Sequence, residues 1–544
     1  MAAPGPHDTG PLRCDAVVVG AGPNGLVAAN ALAQAGWDVV VLEAAGHVGG
    51  AVASAEVVPG FVHDLYSSFY PLAAGSPVIQ GLHLEEHGLR WVHAPAVLAH
   101  LESPSSTRAH VLHRDVEDTA KGLDAEHAGD GDAWLRLFDQ WQRLRDPLLD
   151  ALFSPFPPVR AGLRLAGRLG PDELLRTLRQ LLLPVHRLGE ELFGGQGGRL
   201  LLAGNAMHSD APAVAPVSGV LGWLLAMLGQ DVGFPVPAGG AGRLADALAD
   251  RARAHGAQVR TGERVDRVLV AGGRAVGVRT AGGLLVRARR AVVADVDAQV
   301  LLRDLVGPDH LPGGLLRDLD RFDRDTPTVK VNWALDAPVP WRAQGAAGAG
   351  TVHLGADADG LAMWSSSLAI GRPSEHAFVL VGQMATADPG RAPAGGEALW
   401  AYSHLPRGTT DPAAAQALAE RMEDLVEAHA PGFRQVVRRR WVQTPRDLET
   451  GDASLVTGAL NGGTAQLHQQ LVFRPVPGLG RSETAVRGLY LASSSAHPGG
   501  GVHGAAGWIA ARAALRSAAF GGVGTRLVVA GQRRVQRTPR RPLP

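Results

Sequence analysis

Cysteine is almost absent from this chain of 544 residues, where Cys14 stands alone. One thiol excludes an internal disulfide, a Cys-based zinc site, an iron–sulfur cluster and a C-x-x-C redox couple together. Lysine is nearly as scarce, with Lys121 and Lys330 against a large majority of arginines, a bias that fits a GC-rich coding sequence better than a functional device. Net charge is lacking too: 52 basic and 52 acidic residues cancel, which leaves no global field to attract nucleic acid. The longest apolar stretch, Val214 to Leu228, is broken by Pro216, Gly219 and Gly222 and is too short to span a membrane. The opening MAAPGPHDTGPLR holds no apolar signal region, so the expected location is cytoplasmic.

What is abundant is glycine, and its spacing carries the chemistry. From Asp15 to Glu43 the chain reads as a buried strand, a G-x-G-x-x-G turn, a small-residue helix and a second apolar strand ending in an acid. Gly20 permits the tight turn, Gly22 lets backbone approach a pyrophosphate, and Gly25 lets helix pack on strand; Ala21, Pro23 and Asn24 complete the loop. The helix N-terminus then offers free N–H groups and a positive dipole end to phosphates. Glu43 falls where an acid holds ribose hydroxyls and disfavours a 2′-phosphate. The unit therefore predicts a dinucleotide site that is not for NADP.

Beyond Gly49 and Gly50, which form a second turn, the texture changes. From about Leu82 to Leu228 the apolar spacing is mostly helical. Arg160, Arg164 and Arg168 share a helical face beside Leu163, Leu165 and Leu169, which suits a solvated amphipathic helix or, less readily, a surface that docks on lipid. At Pro235 an α/β pattern returns, with a helix from Gly242 to about His255 and short strands between G-G turns. Gly239 to Gly242 is not a second fingerprint, because no buried strand leads into it. Residues 301–477 form a mixed segment, and a strand, a glycine-rich turn and an alanine-rich helix close the fold between Gly488 and Leu515. The arginine- and proline-rich stretch from 521 to 544 is expected to be a disordered basic tail.

The N-terminal fingerprint with Gly49–Gly50, paired with G-x-Y-L…H-P-G-G-G-V-x-G-A near the C-terminus, resembles the two-part FAD site of the phytoene desaturase and flavin amine oxidase superfamily. The phrases GNAMHSDAP, GFPVPAGGAGRL and HPGGGVHGAAG are most similar to its pyridine nucleotide-disulfide oxidoreductase domain-containing protein 2 group. The resemblance implies an α/β fold: a Rossmann-like, GR2-type FAD-binding domain from residues 1–75, 235–300 and 478–520. Into it a mixed α+β substrate domain with a helical part is inserted, from residues 76–234 and 301–477. It implies one extended, non-covalent FAD. Gly20 to Gly25 would hold its pyrophosphate, Glu43 its ribose, and the Val265 backbone its adenine. Gly50 and the segment through Tyr66, Ser67 and Ser68 would approach the flavin end, with Ser494, Ser495, Gly501 and Val502 at the ribityl chain and pyrimidine. Two positions depart from the pattern: Ala51 stands where many relatives carry arginine, and Ser495 where amine oxidases carry an acid. Lys330, in PTVKVNWALDAPVPW, matches the strand lysine that amine oxidases place near flavin N5; the other reading is an exposed strand lysine.

No metal cluster or nucleophilic triad is forced by spacing. His208 and Asp210, with His63, His404, His468, His497 and His503, are the polar candidates, although a histidine in a glycine-rich turn more often bonds backbone. Trp400 and Tyr402, two apart on a strand, point to one face, as a cavity wall or as core. The leading expectation is an FAD-dependent dehydrogenase or desaturase acting on a small apolar substrate, isoprenoid or lipid-like, with peripheral membrane contact allowed. Amine oxidation is second, since four tyrosines make an aromatic cage hard to assemble. From another class comes a low-turnover FAD-binding scaffold. Oligomeric state is left open.

Overall fold

The computed structural model describes residues 11–519 and 521–537. The N-terminal decapeptide and residues 538–544 lie outside the described residues, and with them part of the signal-free opening and of the basic tail. Strand β1 (Leu12–Val19), helix α1 (Pro23–Gln34) and β2 (Val39–Leu42) open the first sheet. The chain then passes to β3 (Ala96–Leu101) and β4 (His110–Leu112), which belong to a second sheet. A helical layer follows, including α2 (Asp130–Leu152), α3 (Val159–Arg168), α4 (Pro171–Leu182), α5 (Gln196–Ala206) and α6 (Ser218–Val232). Helix α7 (Gly242–Ala254), β5 (Gln258–Arg260), β6 (Val265–Ala271), β7 (Arg274–Thr280) and β8 (Leu285–Ala294) return to the first sheet. Strands β9 (Thr328–Leu335), β10 (Ala349–Gly355), β11 (Phe378–Gln383), β12 (Glu397–His404) and β13 (Val437–Gln443) build out the second. Finally β14 (Leu489–Leu491), α8 (Ala505–Ala519) and α9 (Val523–Arg537) close the chain.

The first sheet runs β6-β7-β8-β1-β2-β5, with β14 on β8. Its centre is parallel: Val17 faces Val292 of β8 and Val40 of β2. A parallel centre covered on both faces needs apolar residues at every position, and Ala16 to Val18 and Val39 to Val41 have no exposed surface. Helices α1, α7 and α8 pack one face. The second sheet, β13-β9-β12-β11-β10-β3-β4, is antiparallel except for β3 on β10. Its Trp333 and Val352 face a layer that includes residues 415–433, while Leu98, Leu380 and Trp400 face the helical layer.

Two expectations are corrected. Ala96–Leu101 lies in the stretch read as helical, yet all six residues are buried in a strand. A continuous apolar run lacks a diagnostic period, and pairing with β10, distant in sequence, decides its state. Residues 523–537, assigned to a disordered tail, form helix α9. Its arginines mask a docked face: Val529 and Gln536 are buried, Gln532 accepts from the Leu479 amide at 2.9 Å, and Arg533 Nε donates to the Ala485 carbonyl at 2.6 Å.

The ends of the fold meet where α1 crosses α8. A Cβ at Gly507 would collide with the backbone carbonyl of Asn24, so only glycine allows this approach. Gly507→Ala should therefore destabilise the protein by about 1–3 kcal/mol, the usual cost of overpacking. Gly46→Ala, where an added Cβ meets nothing within 4 Å, should stay within about 0.5 kcal/mol of wild type. Denaturant unfolding of both variants checks this; equal midpoints would show that the crossing tolerates a methyl group.

Candidate functional site

Strand β1 delivers its last residue to a turn that only glycine can make. Gly20 has φ +93°, and a Cβ there would stand 2.5 Å from the Asp295 carbonyl oxygen. A Cβ on Gly25 would strike the Gly20 carbonyl, which fixes helix against strand. Gly22 caps α1 and Pro23 occupies its first turn, where no N–H is needed. Gly50 lies against Gly22, its added Cβ 3.5 Å from the Gly22 α-carbon, so the second glycine turn folds onto the first.

Three carboxylates gather at this end. Glu43 accepts from the Ala21 amide at 2.7 Å and the Ala45 amide at 2.8 Å, bracing the loop from the end of β2. Asp295, just past β8, accepts from the Gly25 amide at 2.7 Å. Burial pushes its carboxyl up to about 7, and the charges of Asp452 and Glu43 add to the rise. Asp452 is raised as well, chiefly by burial. Asp295 and Asp452 were not singled out from the sequence. Asp295 carried a signal, an acid ending an apolar strand as Glu43 ends β2; Asp452 carried none.

From here a cavity of about 910 Å³ runs between the two sheets and under the helical layer. Gly20, Gly22, Pro23, Asn24, Glu43, Gly50 and Val265 line its first end, while Ala21, Gly25 and Gly49 stand behind the wall. Tyr66, Ser67, Ser494, Ser495, Gly501 and Val502 line its middle. The far end meets Lys330, Trp400, Tyr402 and His208. His497 also reaches the cavity; His63, Asp210, His404, His468 and His503 do not. Among the described residues no group of three or more His, Cys, Asp or Glu is placed to hold a metal.

Lys330 is only 3% exposed and is not the surface lysine of the alternative reading. Its ammonium donates to the backbone carbonyls of Asp64 and Tyr66 and lies 5.6 Å from the Trp400 ring centre. Burial pushes its pKa down to about 7, against the pull of Asp64 and with the push of Arg391. Arg391 and Asp64, both fully buried, form an ion pair at 2.5 Å behind it. Trp400 and Tyr402 stack at 5.8 Å between ring centres. Arg474, another residue with no sequence signal, is buried on the cavity wall and donates to the carbonyls of Ser494, Asn461 and Thr464 at 2.7–2.9 Å.

Residues 24–515 match the model of the flavin containing amine oxidoreductase family. The chain is similar to pyridine nucleotide-disulfide oxidoreductase domain-containing protein 2 of Rattus norvegicus, 31% identical over 92% of this chain and 93% of that protein. It is also similar to hydroxyneurosporene desaturase of Cereibacter sphaeroides, 32% identical over 54% of this chain and 58% of that one. Among solved structures, cyclohexylamine oxidase of Brevibacterium oxydans shares the fold, with TM-score 0.54 and 16% identity over 93% of this chain and 99% of that one.

The cavity suits FAD by its own features. It joins a helix N-terminus and the acid that ends β2 to a channel whose far end is lined by Trp400 and Tyr402. Buried Asn24 Oδ1 and Ser68 Oγ, on residues lining it, have no hydrogen-bond partner among the described residues.

Asp295 makes the apo-protein's stability depend on pH. Its folded pKa of about 7 lies above the ordinary 3.8, so the native state holds the extra proton between these values. Stability associated with this group is full below pH 3.8 and is lost as pH rises through 7. Asp295→Asn should remove that part of the slope, measured by apo-protein denaturation at pH steps across the interval. An unchanged slope would mean that Asp295 is ionised throughout.

Proposed function

The chain belongs to the flavin-containing amine oxidoreductase family, and on that premise we propose that it is a dehydrogenase or desaturase taking hydride from an apolar, isoprenoid- or lipid-like substrate. Family membership makes it an FAD-dependent oxidoreductase. The observation that carries the substrate reading is the lining of the helical side of the cavity, to which Val220, Leu221, Leu224, Leu225 and Phe234 contribute with His208 and Ser209. Among the described lining residues, carboxylates stand only at Glu43, Asp295, Asp297 and Asp452, none of them from the helical layer. An amine substrate would therefore meet no acid on that side, which places amine oxidation second; the stacked Trp400 and Tyr402 are what favours it.

When bound, FAD supplies the two-electron acceptor for a hydride. The chain's residues do the rest in this reading. Gly20 to Gly25 and the N-terminus of α1 hold the pyrophosphate, Glu43 the ribose and Val265 the adenine. Ser67, Ser494, Ser495, Gly501 and Val502 hold the flavin end. The start of α8 presents its positive end toward the pyrimidine. Lys330 sets a positive charge, or a neutral amine above pH 7, at the far end, and the apolar wall excludes water. Attachment is non-covalent: Cys14 is buried in β1 away from the cavity, its thiol pushed up to about 12, and His63 Nε2 is engaged with the Trp333 carbonyl at 3.1 Å. With one dinucleotide fingerprint, the electron acceptor is oxygen, a quinone or another carrier rather than NAD.

No helix among the described residues is long and apolar enough to cross a membrane. Leu163, Leu175 and Leu182 on α3 and α4 are 60–69% exposed beside Arg160 and Arg164, and they offer the surface for peripheral membrane contact by a cytoplasmic protein. Nucleic acid is not a partner in this reading.

Anaerobic mixing of the holoenzyme with polyenes in detergent and, separately, with alkylamines tests the class. Rapid bleaching of the flavin by polyenes alone is expected. Bleaching by amines alone would reverse the order of the two readings, and bleaching by neither would favour the scaffold.

Lys330→Met should slow either flavin half-reaction at least tenfold, or about 1.4 kcal/mol, through loss of an oriented charge in a dry site. Rapid kinetics at matched FAD content measures it; unchanged rates would assign Lys330 to the protein's structure alone.

A further inference from the structure

Tyr402 is held by contacts that leave its hydroxyl alone. On β12 it stands directly opposite Lys330 of β9. Its ring stacks on Trp400 at 5.8 Å with 18° between the planes, and it meets His404 in a T-shaped contact at 5.5 Å. Trp400 can lie there only because residue 382 of β11 is glycine: an added Cβ would sit 2.2 Å from the indole. Two other hydroxyls on the cavity lining have partners. Thr328 Oγ1 shares a hydrogen bond with His404 Nδ1 at 3.1 Å, and Ser209 donates to the Ala206 carbonyl at 2.9 Å. The Tyr402 hydroxyl makes no hydrogen bond among the described residues.

His208, just past α5, brings a second free polar atom to the same end. Its Nε2 is taken by His353 Nε2 at 3.0 Å, which leaves Nδ1 without a partner among the described residues. His404, in contact with Tyr402, is also close enough to His208 to oppose its protonation. Both Tyr402 and His208 are half-buried although they lie deep in the molecule, so the surface they keep faces the cavity they line. Two more lining residues, Asn205 and Thr351, bury Oδ1 and Oγ1 without partners among the described residues. Asn205 stands three residues before His208 and gives its amide hydrogen to the Leu201 carbonyl at 2.7 Å, while Thr351 shares a face of β10 with His353. The end is also uncharged apart from Lys330. Burial lowers His208 to about 3 and raises the Tyr402 phenol above its ordinary value, and the Lys330 ammonium is turned onto the Asp64 and Tyr66 carbonyls.

We propose that Tyr402 and His208, supported by Asn205 and Thr351, form a subsite for an uncharged oxygen, a hydroxyl or a carbonyl, on an otherwise apolar substrate. This rests on the reading that an apolar substrate enters the cavity to meet the flavin. A hydrocarbon would exclude water from this end and give nothing back, leaving a buried hydroxyl and a buried imidazole unpaired. An oxygen offers what they lack. Tyr402 donates, and His208 Nδ1 donates or accepts according to its tautomer, so one oxygen with lone pairs suits both. An ammonium would meet no carboxylate among the described lining residues of β9, β12 and the helical layer. A site built around hydrogen-bonding groups rejects an analogue that lacks the matching atom far more strongly than an apolar pocket rejects a missing methylene. Tyr402 and His208 are therefore the residues that set specificity within the apolar class.

The test uses the holoenzyme and four ten-carbon probes in one detergent solution: decane, decan-1-ol, decan-2-one and decylamine. Dissociation constants are read from the visible spectrum of the bound flavin, at matched FAD content, for the wild type, Tyr402→Phe and His208→Phe. Comparing each probe with itself across variants cancels its own cost of leaving detergent and water. Loss of one hydrogen bond should weaken decan-1-ol, decan-2-one or both about tenfold in Tyr402→Phe, while decane stays within about twofold. Which oxygenated probe weakens tells a hydroxyl from a carbonyl. His208→Phe should show the same selectivity; Tyr402→Phe, which removes a single oxygen atom, decides the case should the histidine variant fail to fold. Equal shifts for decane and the oxygenated probes, no shift for either oxygenated probe, or a selective loss of decylamine in Tyr402→Phe would overturn the subsite. The apolar-substrate reading fails by a different result: none of the probes perturbing the wild-type flavin, which would remove the subsite with it.

Discussion

The backbone approach between Asn24 and Gly507 is the constraint from which the rest of the architecture follows. It joins the first turn of α1, near the start of the chain, to a helix near its end. Gly20 and Gly25 bring β1 onto α1, Gly507 brings α1 onto α8, and Val292 of β8 couples Val17 of β1 to Leu489 of β14. Every other segment is inserted between these points. The second sheet and the helical layer are built from excursions that leave the first sheet and return, so the cavity forms where the excursions fold back over the first sheet's glycine turn.

This geometry explains which parts were readable from sequence. The first sheet's signals are local: a fingerprint loop, an acid after a strand and two glycines act within about thirty residues of chain, and each has one physical meaning. Nothing local marks Ala96–Leu101 as a strand. Its partner, β10, lies some 250 residues away, and the run satisfies a buried helix equally well until that partner is placed. Helix α9 failed for the opposite reason. Its composition reads as solvated, but arginine needs carbonyl acceptors as much as water, and Ala485 supplies one.

The cavity's polar wall shows the same division. Glu43 and Lys330 were legible because motif and scarcity drew attention to them. Arg474 on the wall and Arg391 behind it were not, because a sequence with arginine this abundant gives no hint which of these side chains will be buried. Their function is collective. Arg474 ties Ser494, of the glycine-rich closing unit, to the 461–464 loop by backbone carbonyls, so its positive charge is spread over peptide dipoles instead of a paired carboxylate. Arg391 instead sits against Asp64, whose other oxygen accepts from Ser54 and the Ala241 amide, locking three segments behind Lys330.

That arrangement sets opposite electrostatics at the two ends of one cavity. Glu43, Asp295 and Asp452 make the glycine-turn end acidic, which in the proposed reading is an odd environment for a diphosphate until the protonation of Asp295 is considered. With its carboxyl held near neutrality by burial and by its acidic neighbours, Asp295 can become uncharged when two phosphate charges arrive. The Gly25 amide it accepts from holds it in place meanwhile. The far end has the reverse design: a lysine lowered to about 7 by burial, with the compensating Asp64 facing away toward Arg391. Each end thus keeps a titrating group near neutrality, so charge on the cofactor can be met by moving a proton rather than by burying an unpaired ion. Burying the ion would cost several kcal/mol; moving a proton costs far less when the pKa already lies near the ambient pH.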